Sequence, residues 1–149
     1  IHKVDNGSSA IRMFSRIGMR LPLYCTGVGK AILATWDTAE VRDVWQHSDV
    51  HAWTEHTIVD EDAFFREIDK VRQLGYALDN EENELGVRCI AAAIPDYRGR
   101  ASYAISLSAP VSRMTDQRVA ELRAPLMACG GERNPARCSA RPHFEEGRA

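Results

Sequence analysis

Val87-Arg-Cys-Ile-Ala-Ala-Ala-Ile94 and Ala101-Ser-Tyr-Ala-Ile-Ser-Leu-Ser-Ala109 are two apolar runs, separated by Pro95-Asp-Tyr-Arg-Gly-Arg100. Asp96-Tyr-Arg-Gly99 has Asp first and Gly fourth, the signature of a type I turn. Runs joined so tightly pair antiparallel. Side chains alternate along a strand, so Ser106 and Ser108 share one face while Ile105 and Leu107 take the other. Pairing Asp96 with Gly99 across a two-residue loop puts Cys89 opposite Ser106 and Val87 opposite Ser108. A bulge beside Gly99 would move that register. Two hydroxyls and a thiol on one face suit a pocket for a small polar molecule. They equally suit a surface of small residues on which a helix packs closely.

Outward from this hairpin, the rest of the chain falls into place. Ile1–Asp5 and Ile11–Ser15 read as short strands around the turn Asn6-Gly7-Ser8-Ser9. Thr26 caps a helix through Lys30-Ala-Ile-Leu-Ala34, and Asp37 or Thr38 caps a second with Val41, Val44 and Trp45 in register. Asp60 opens the clearest helix, with Phe64, Ile68 and Val71 as its stripe and Gly75 as its stop. Tyr76-Ala-Leu-Asp79 is a short strand, and Asn80–Glu84 reads as a solvated acidic loop. Thr115 caps a last helix from Asp116 to about Ala128. Cys129-Gly-Gly then breaks it, and 129–149 is expected to be an irregular tail. Strands, helices and strands again imply an α+β domain over 1–128, one antiparallel sheet with helices packed on it.

Composition narrows the function. A chain of 149 residues, 44% hydrophobic and 27% charged, has the makings of one globular domain. The net charge of −2 argues against this chain gripping nucleic acid by itself. The cysteines (Cys25, Cys89, Cys129 and Cys138) form no Cys-x-x-Cys pair, so cytoplasmic thiols are expected. No apolar stretch is long enough to span a membrane.

Thr26-Gly-Val-Gly-Lys30 offers free N–H groups at a helix start, where an anion is favoured. It is neither a Walker A loop nor a dinucleotide fingerprint. Gly27 and Gly29 either admit a ligand to the main chain or serve tight packing. Asp79 could point into a cleft. Cys89 as a catalytic thiol lacks a neighbouring base, and no catalytic residue is assigned. His47, His51 and His56 sit in a segment with no helical period, so no metal site is assigned to them.

The runs Arg12-Met-Phe-Ser-Arg-Ile-Gly18, Leu21-Pro-Leu-Tyr-Cys-Thr-Gly-Val-Gly-Lys-Ala31, Gly75-Tyr-Ala-Leu-Asp-Asn-Glu-Glu82, Leu85-Gly-Val-Arg-Cys-Ile-Ala-Ala92 and Ile105-Ser-Leu-Ser-Ala-Pro-Val-Ser-Arg113 recur together. In order and spacing they resemble the effector-binding domain of the IclR family of bacterial transcription regulators. His51-Ala-Trp-Thr54 and Ser112–Val119 look most like the branch of the glyoxylate-bypass (acetate operon) repressor. The resemblance implies a GAF-like (profilin-like) domain that senses a small carboxylate, glyoxylate or pyruvate in that branch, without a cofactor. It implies backbone contacts at Gly27 and Val28, and polar contacts at Asp79, Cys89, Ser106 and Ser108. Apolar contacts are implied at Met13, Leu21 and Val87. Val28 stands where a smaller residue is usual, so a narrowed pocket is expected. The family also implies a cytoplasmic homodimer or homotetramer. It binds DNA through a winged helix-turn-helix that precedes this domain and that nothing in this chain supplies.

Overall fold

In the computed structural model, residues 18–131 are described. The expected strands within 1–15, the contact residue Met13 and the tail from residue 132 lie outside them. The element order is α1 (Gly27–Leu33), α2 (Thr38–Gln46), α3 (Glu61–Leu74), β1 (Ala77–Asn80), β2 (Val87–Pro95), β3 (Ala101–Pro110) and α4 (Asp116–Gly131). The strands form an antiparallel sheet in the order β1-β2-β3. An α+β domain with helices on an antiparallel sheet is therefore what the chain folds into.

The helix ends follow from local chemistry. Thr26 Oγ1 accepts the Gly29 N–H at 3.2 Å at the start of α1, and Asp60 Oδ1 accepts that of Ala63 at 2.8 Å at the start of α3. Asp37 is the N-cap of α2. Gly75 ends α3 with φ of 78°, a left-handed position that glycine takes at no steric cost.

Three apolar clusters hold these elements. Tyr24, Cys25, Leu33, Val41, Trp45, Phe64 and Ile68 join the first three helices. Within that cluster Trp45 stacks on Phe64 at 4.5 Å between ring centroids. Ile90 and Ala92 meet Met114, Val119 and Leu126, which seats α4 on one sheet face. Ala31, Val71, Ala77 and Ala91 seat α1 on the other.

Two expectations need correction. First, Cys89 faces Ser108 rather than Ser106, Ala91 faces Ser106, and Val87 faces Pro110. The turn itself is as expected, with the Gly99 N–H donating to the Asp96 carbonyl at 3.0 Å. The Asp96 N–H donates to the Arg100 carbonyl at 2.8 Å, which moves the pairing one residue from that expected, and the irregularity between Ile94 and Pro95 moves it one more; the total slip is even, so each side chain keeps its face. Second, α4 does not stop near Ala128 but continues to Gly131. Gly130 carries it against β2: a Cβ there would lie 2.6 Å from the Ala93 carbonyl oxygen. A pair of glycines that reads as a helix break instead lets the helix approach the sheet.

Candidate functional site

One row of side chains crosses the sheet where the sequence points. Asp79 in β1 pairs with Cys89 in β2, and Cys89 pairs with Ser108 in β3. Ser106, opposite Ala91, lies on the same face. Gly27 lies directly over this row: a Cβ on it would meet Cys89 Sγ at 3.2 Å and the Asp79 amide nitrogen at 3.6 Å. The first turn of α1 therefore sits against Asp79 and Cys89, and its N–H groups have no intrahelical acceptor. Ser106 is half-buried and Ser108 exposed, so solvent reaches the hydroxyl side of the row.

The position of α1 is fixed at both ends. The Thr26 hydroxyl donates to the Pro22 carbonyl at 2.7 Å. Beyond its far end, Thr35 Oγ1 accepts the Ala101 N–H at 2.9 Å and Trp36 Nε1 donates to the Ala101 carbonyl at 2.8 Å. Gly29 serves packing alone, because any Cβ there would run into the Leu23 backbone. Gly27 is the glycine that faces the row. Val28 turns its side chain toward the Ala31–Val71–Ala77–Ala91 cluster, while Leu21 and Val87 are half-buried.

Burial shapes the electrostatics. Asp79 is 8% exposed, and loss of water raises its carboxyl to about 6 against Lys30 and two backbone donors that pull it down. Those donors are the N–H groups of Glu82 at 2.9 Å and Asn83 at 3.4 Å, both on Asp79 Oδ1. Burial pushes the Cys89 thiol up to about 11, with hydrogen bonds from Ser108 and Ser106 acting in the opposite sense. The row thus holds a protonated thiol at neutral pH, which suits binding and not nucleophilic attack.

The acidic run after β1 is not the solvated loop the sequence suggests. Glu82 is 6% exposed and pairs with Lys30, which is fully buried. Glu67 of α3 lies 3.7 Å from the same ammonium. Thr54 donates to the Glu81 carbonyl and Thr57 to that of Glu82, each at 2.6 Å, while Glu81 takes a positive φ of 63°. The run is an anchored turn whose Asp79 side chain caps it from inside. Sequence reading missed Lys30, Thr54, Thr57 and Glu82. The one available signal was a lysine inside an otherwise apolar helix face, and its partner is 52 residues away.

His47, His51 and His56 do not converge. Each lies beside a nearby carboxylate in the chain: Asp43, Asp49 and Glu55, respectively. Among the described residues no group of three or more potential ligands could hold a metal. No helix among them is long and apolar enough to cross a membrane.

Comparison with known proteins accounts for this arrangement. Residues 1–133 match the family model of the bacterial transcriptional regulator IclR C-terminal domain. The Escherichia coli HTH-type transcriptional regulator KdgR is 41% identical over 126 residues, 85% of this chain and 48% of that protein. The E. coli transcriptional repressor IclR is 38% identical over 122 residues, 82% of this chain and 44% of that protein. These similar identities do not single out the glyoxylate-bypass branch. Among solved structures, the Thermotoga maritima IclR superposes with a TM-score of 0.79 at 34% identity, covering 83% of this chain and 50% of that one. A double mutant of the inducer-binding domain of the Acinetobacter PobR transcription factor, in complex with 3-hydroxybenzoic acid, superposes at 0.75 with 27% identity, covering 86% and 74%. The chain spans about half the length of the curated relatives it matches. Those relatives are transcription regulators and not enzymes. The chain belongs to the IclR family of bacterial transcription regulators and carries the family's C-terminal domain.

Proposed function

We propose that this domain senses a small carboxylate metabolite, with glyoxylate and pyruvate the favoured candidates. The observation that carries the reading is the row Asp79–Cys89–Ser108 lying under Gly27, with Ser106 beside it. The carboxylate takes the N–H groups of Gly27 and Val28. The keto or hydrate oxygen takes Ser106, Ser108 and Asp79. Leu21, Val87 and Met13 supply the apolar walls. A protonated Cys89 beside two hydroxyls adds donors without adding negative charge, which an anion requires. The complex of PobR with an aromatic carboxylic acid supports a carboxylate as ligand class.

In the intact cytoplasmic regulator the ligand shifts the arrangement of subunits, and with it the spacing of DNA-binding domains carried elsewhere in the protein. It can do so only through different affinities for the two arrangements. Calorimetry with glyoxylate, pyruvate and larger keto acids tests the ligand. Saturable heat is expected from the smallest acids; no heat from any of them, with folded protein, refutes the sensor.

A second reading, oligomer contact without a ligand, is favoured by one observation. Ile94, Tyr103, Ile105 and Leu107 form an exposed apolar row on the sheet face opposite Cys89. Tight self-association in sedimentation, with no ligand response, would select it.

A further inference from the structure

Lys30 takes no part in the effector contacts set out above, yet it is the buried cation nearest to them in the chain. It belongs to α1, and its N–H donates to the Thr26 carbonyl at 2.9 Å. Its side chain is fully buried. The ammonium pairs with Glu82 Oε1, and Glu67 Oε1 of α3 lies 3.7 Å away. A charge so enclosed persists only against partners of this kind.

Glu82 joins Lys30 to the row under Gly27, because its N–H donates to Asp79 Oδ1 at 2.9 Å. One helix therefore carries the free N–H groups at its start and, one turn on, the ammonium that holds the turn behind Asp79. That turn needs holding. Glu81 sits at a φ of 63°, which a residue with a side chain adopts at a cost. Thr54 and Thr57 tie the turn to their own loop, and Lys30 ties it to α1. Cys25 Sγ, 3.9 Å from Asn83 Oδ1, is a longer contact between the same two regions. Charge follows the same path. The carboxyls of Glu82, Asp79 and Glu67 and the thiols of Cys25 and Cys89 all lie within electrostatic reach of the ammonium. Glu84 acts on Asp79 from the end of the acidic run. Burial raises the Asp79 carboxyl; its two backbone donors and then Lys30 pull it down.

We propose that Lys30 is a positioning residue for the effector: through Glu82 its ammonium holds the Asp79 carboxyl in the row under Gly27, and its charge governs that carboxyl. The proposal rests on the carboxylate-sensor reading, in which Asp79 takes the keto or hydrate oxygen. Lys30 itself touches no ligand there. It acts by fixing where Asp79 stands relative to the α1 N–H groups, and by placing a positive charge behind a row that receives an anion.

The test follows the Asp79 carboxyl carbon by NMR as pH is varied, in the ligand-free 149-residue chain and in two variants. Lys30→Met removes both the charge and the hold on Glu82; Lys30→Gln removes the charge and keeps a donor. Each should move the Asp79 midpoint up from about 6, by about one pH unit. A merely structural role predicts the opposite: a loosened turn rehydrates Asp79 and moves its midpoint down toward the ordinary 3.8. Calorimetry with glyoxylate at about pH 5, where Asp79 is neutral in every chain, should show binding about tenfold weaker in Lys30→Met. If Lys30→Met fails to fold, Lys30→Gln decides by the direction of its midpoint. A midpoint that stays or falls in the folded variants overturns the proposal, as does unchanged glyoxylate affinity in Lys30→Met when the parent chain binds it. A parent chain that gives no heat with any small carboxylate refutes the sensor. The Asp79 titration is read without ligand, so it still judges Lys30 separately.

Discussion

Cys89 faces Ser108 across one side of β2 and Asp79 across the other, so a thiol lies between a hydroxyl and a carboxyl in a single row beneath Gly27. The row combines donors from side chains with donors from the α1 backbone. It can grip a small anion only if Asp79 does not repel it.

That condition makes binding pH-dependent. Asp79 holds its proton up to about pH 6 in the folded chain. Below that value it is neutral and can donate; above it a negative charge faces the ligand. Glyoxylate affinity, followed by calorimetry from pH 5 to 8, should therefore fall as pH rises through about 6. Asp79→Asn keeps the oxygen that caps Glu82 and Asn83, and should flatten the profile. An unchanged profile in that variant would assign the pH effect to another group.

The same carboxyl has a stability consequence. Its folded value of about 6 lies above its ordinary 3.8. As pH rises, the unfolded chain gives up its proton first, so stability falls between roughly pH 4 and 6. The loss is at most about 3 kcal/mol for a shift of this size. Urea denaturation of Asp79→Asn should lose most of that slope.

Removing the two hydroxyls separately should weaken effector binding by about 1–3 kcal/mol each, as lost hydrogen bonds to a charged group do. Ser106→Ala and Ser108→Ala are both on a strand whose hydrogen-bond ladder is main-chain, so thermal stability should change little. Calorimetry beside a melting curve separates the two effects.

Gly27 and Gly29 should respond very differently to alanine. A Cβ at Gly29 collides with the Leu23 backbone, which cannot move aside cheaply. A Cβ at Gly27 meets Cys89 Sγ at 3.2 Å, a side chain that can shift, and Ala91 Cβ at 3.3 Å, with no backbone atom closer than 3.6 Å. Gly27→Ala should cost about 1–3 kcal/mol and block the effector face, whereas Gly29→Ala should cost more and impair folding itself. Denaturant midpoints and expression yield report the contrast.

Lys30 and Glu82 form a buried ion pair, so breaking one side strands the other. Lys30→Met alone should cost about 3–5 kcal/mol. The double variant Lys30→Met with Glu82→Leu should recover much of that loss, measured as a denaturant-midpoint cycle. No recovery would mean that the pair's hydrogen bonds, and not its charges, hold the acidic turn.

The helix starts at Thr26, Asp37 and Asp60, the stop at Gly75 and the turn at Asp96–Gly99 were all legible, because each depends on residues within one turn of the chain. The candidate face was legible too. Alternation alone places Ser106 and Ser108 together whatever the register, and Cys89 joins them because the slip is even. The end of α4 was not legible. Gly130 looks like a breaker until β2 is beside it.

Local rules thus set the elements, the shared face and the family motifs in this chain, since period, caps and turn chemistry act over a few residues. Tertiary structure decided which residue Cys89 meets, because the loop closure at Asp96–Arg100 and the irregularity at Ile94/Pro95 depend on how two strands twist against each other. It also decided that Lys30 and Glu82 lie inside and not in water, since each charge tolerates burial only against the partner that another part of the chain contributes.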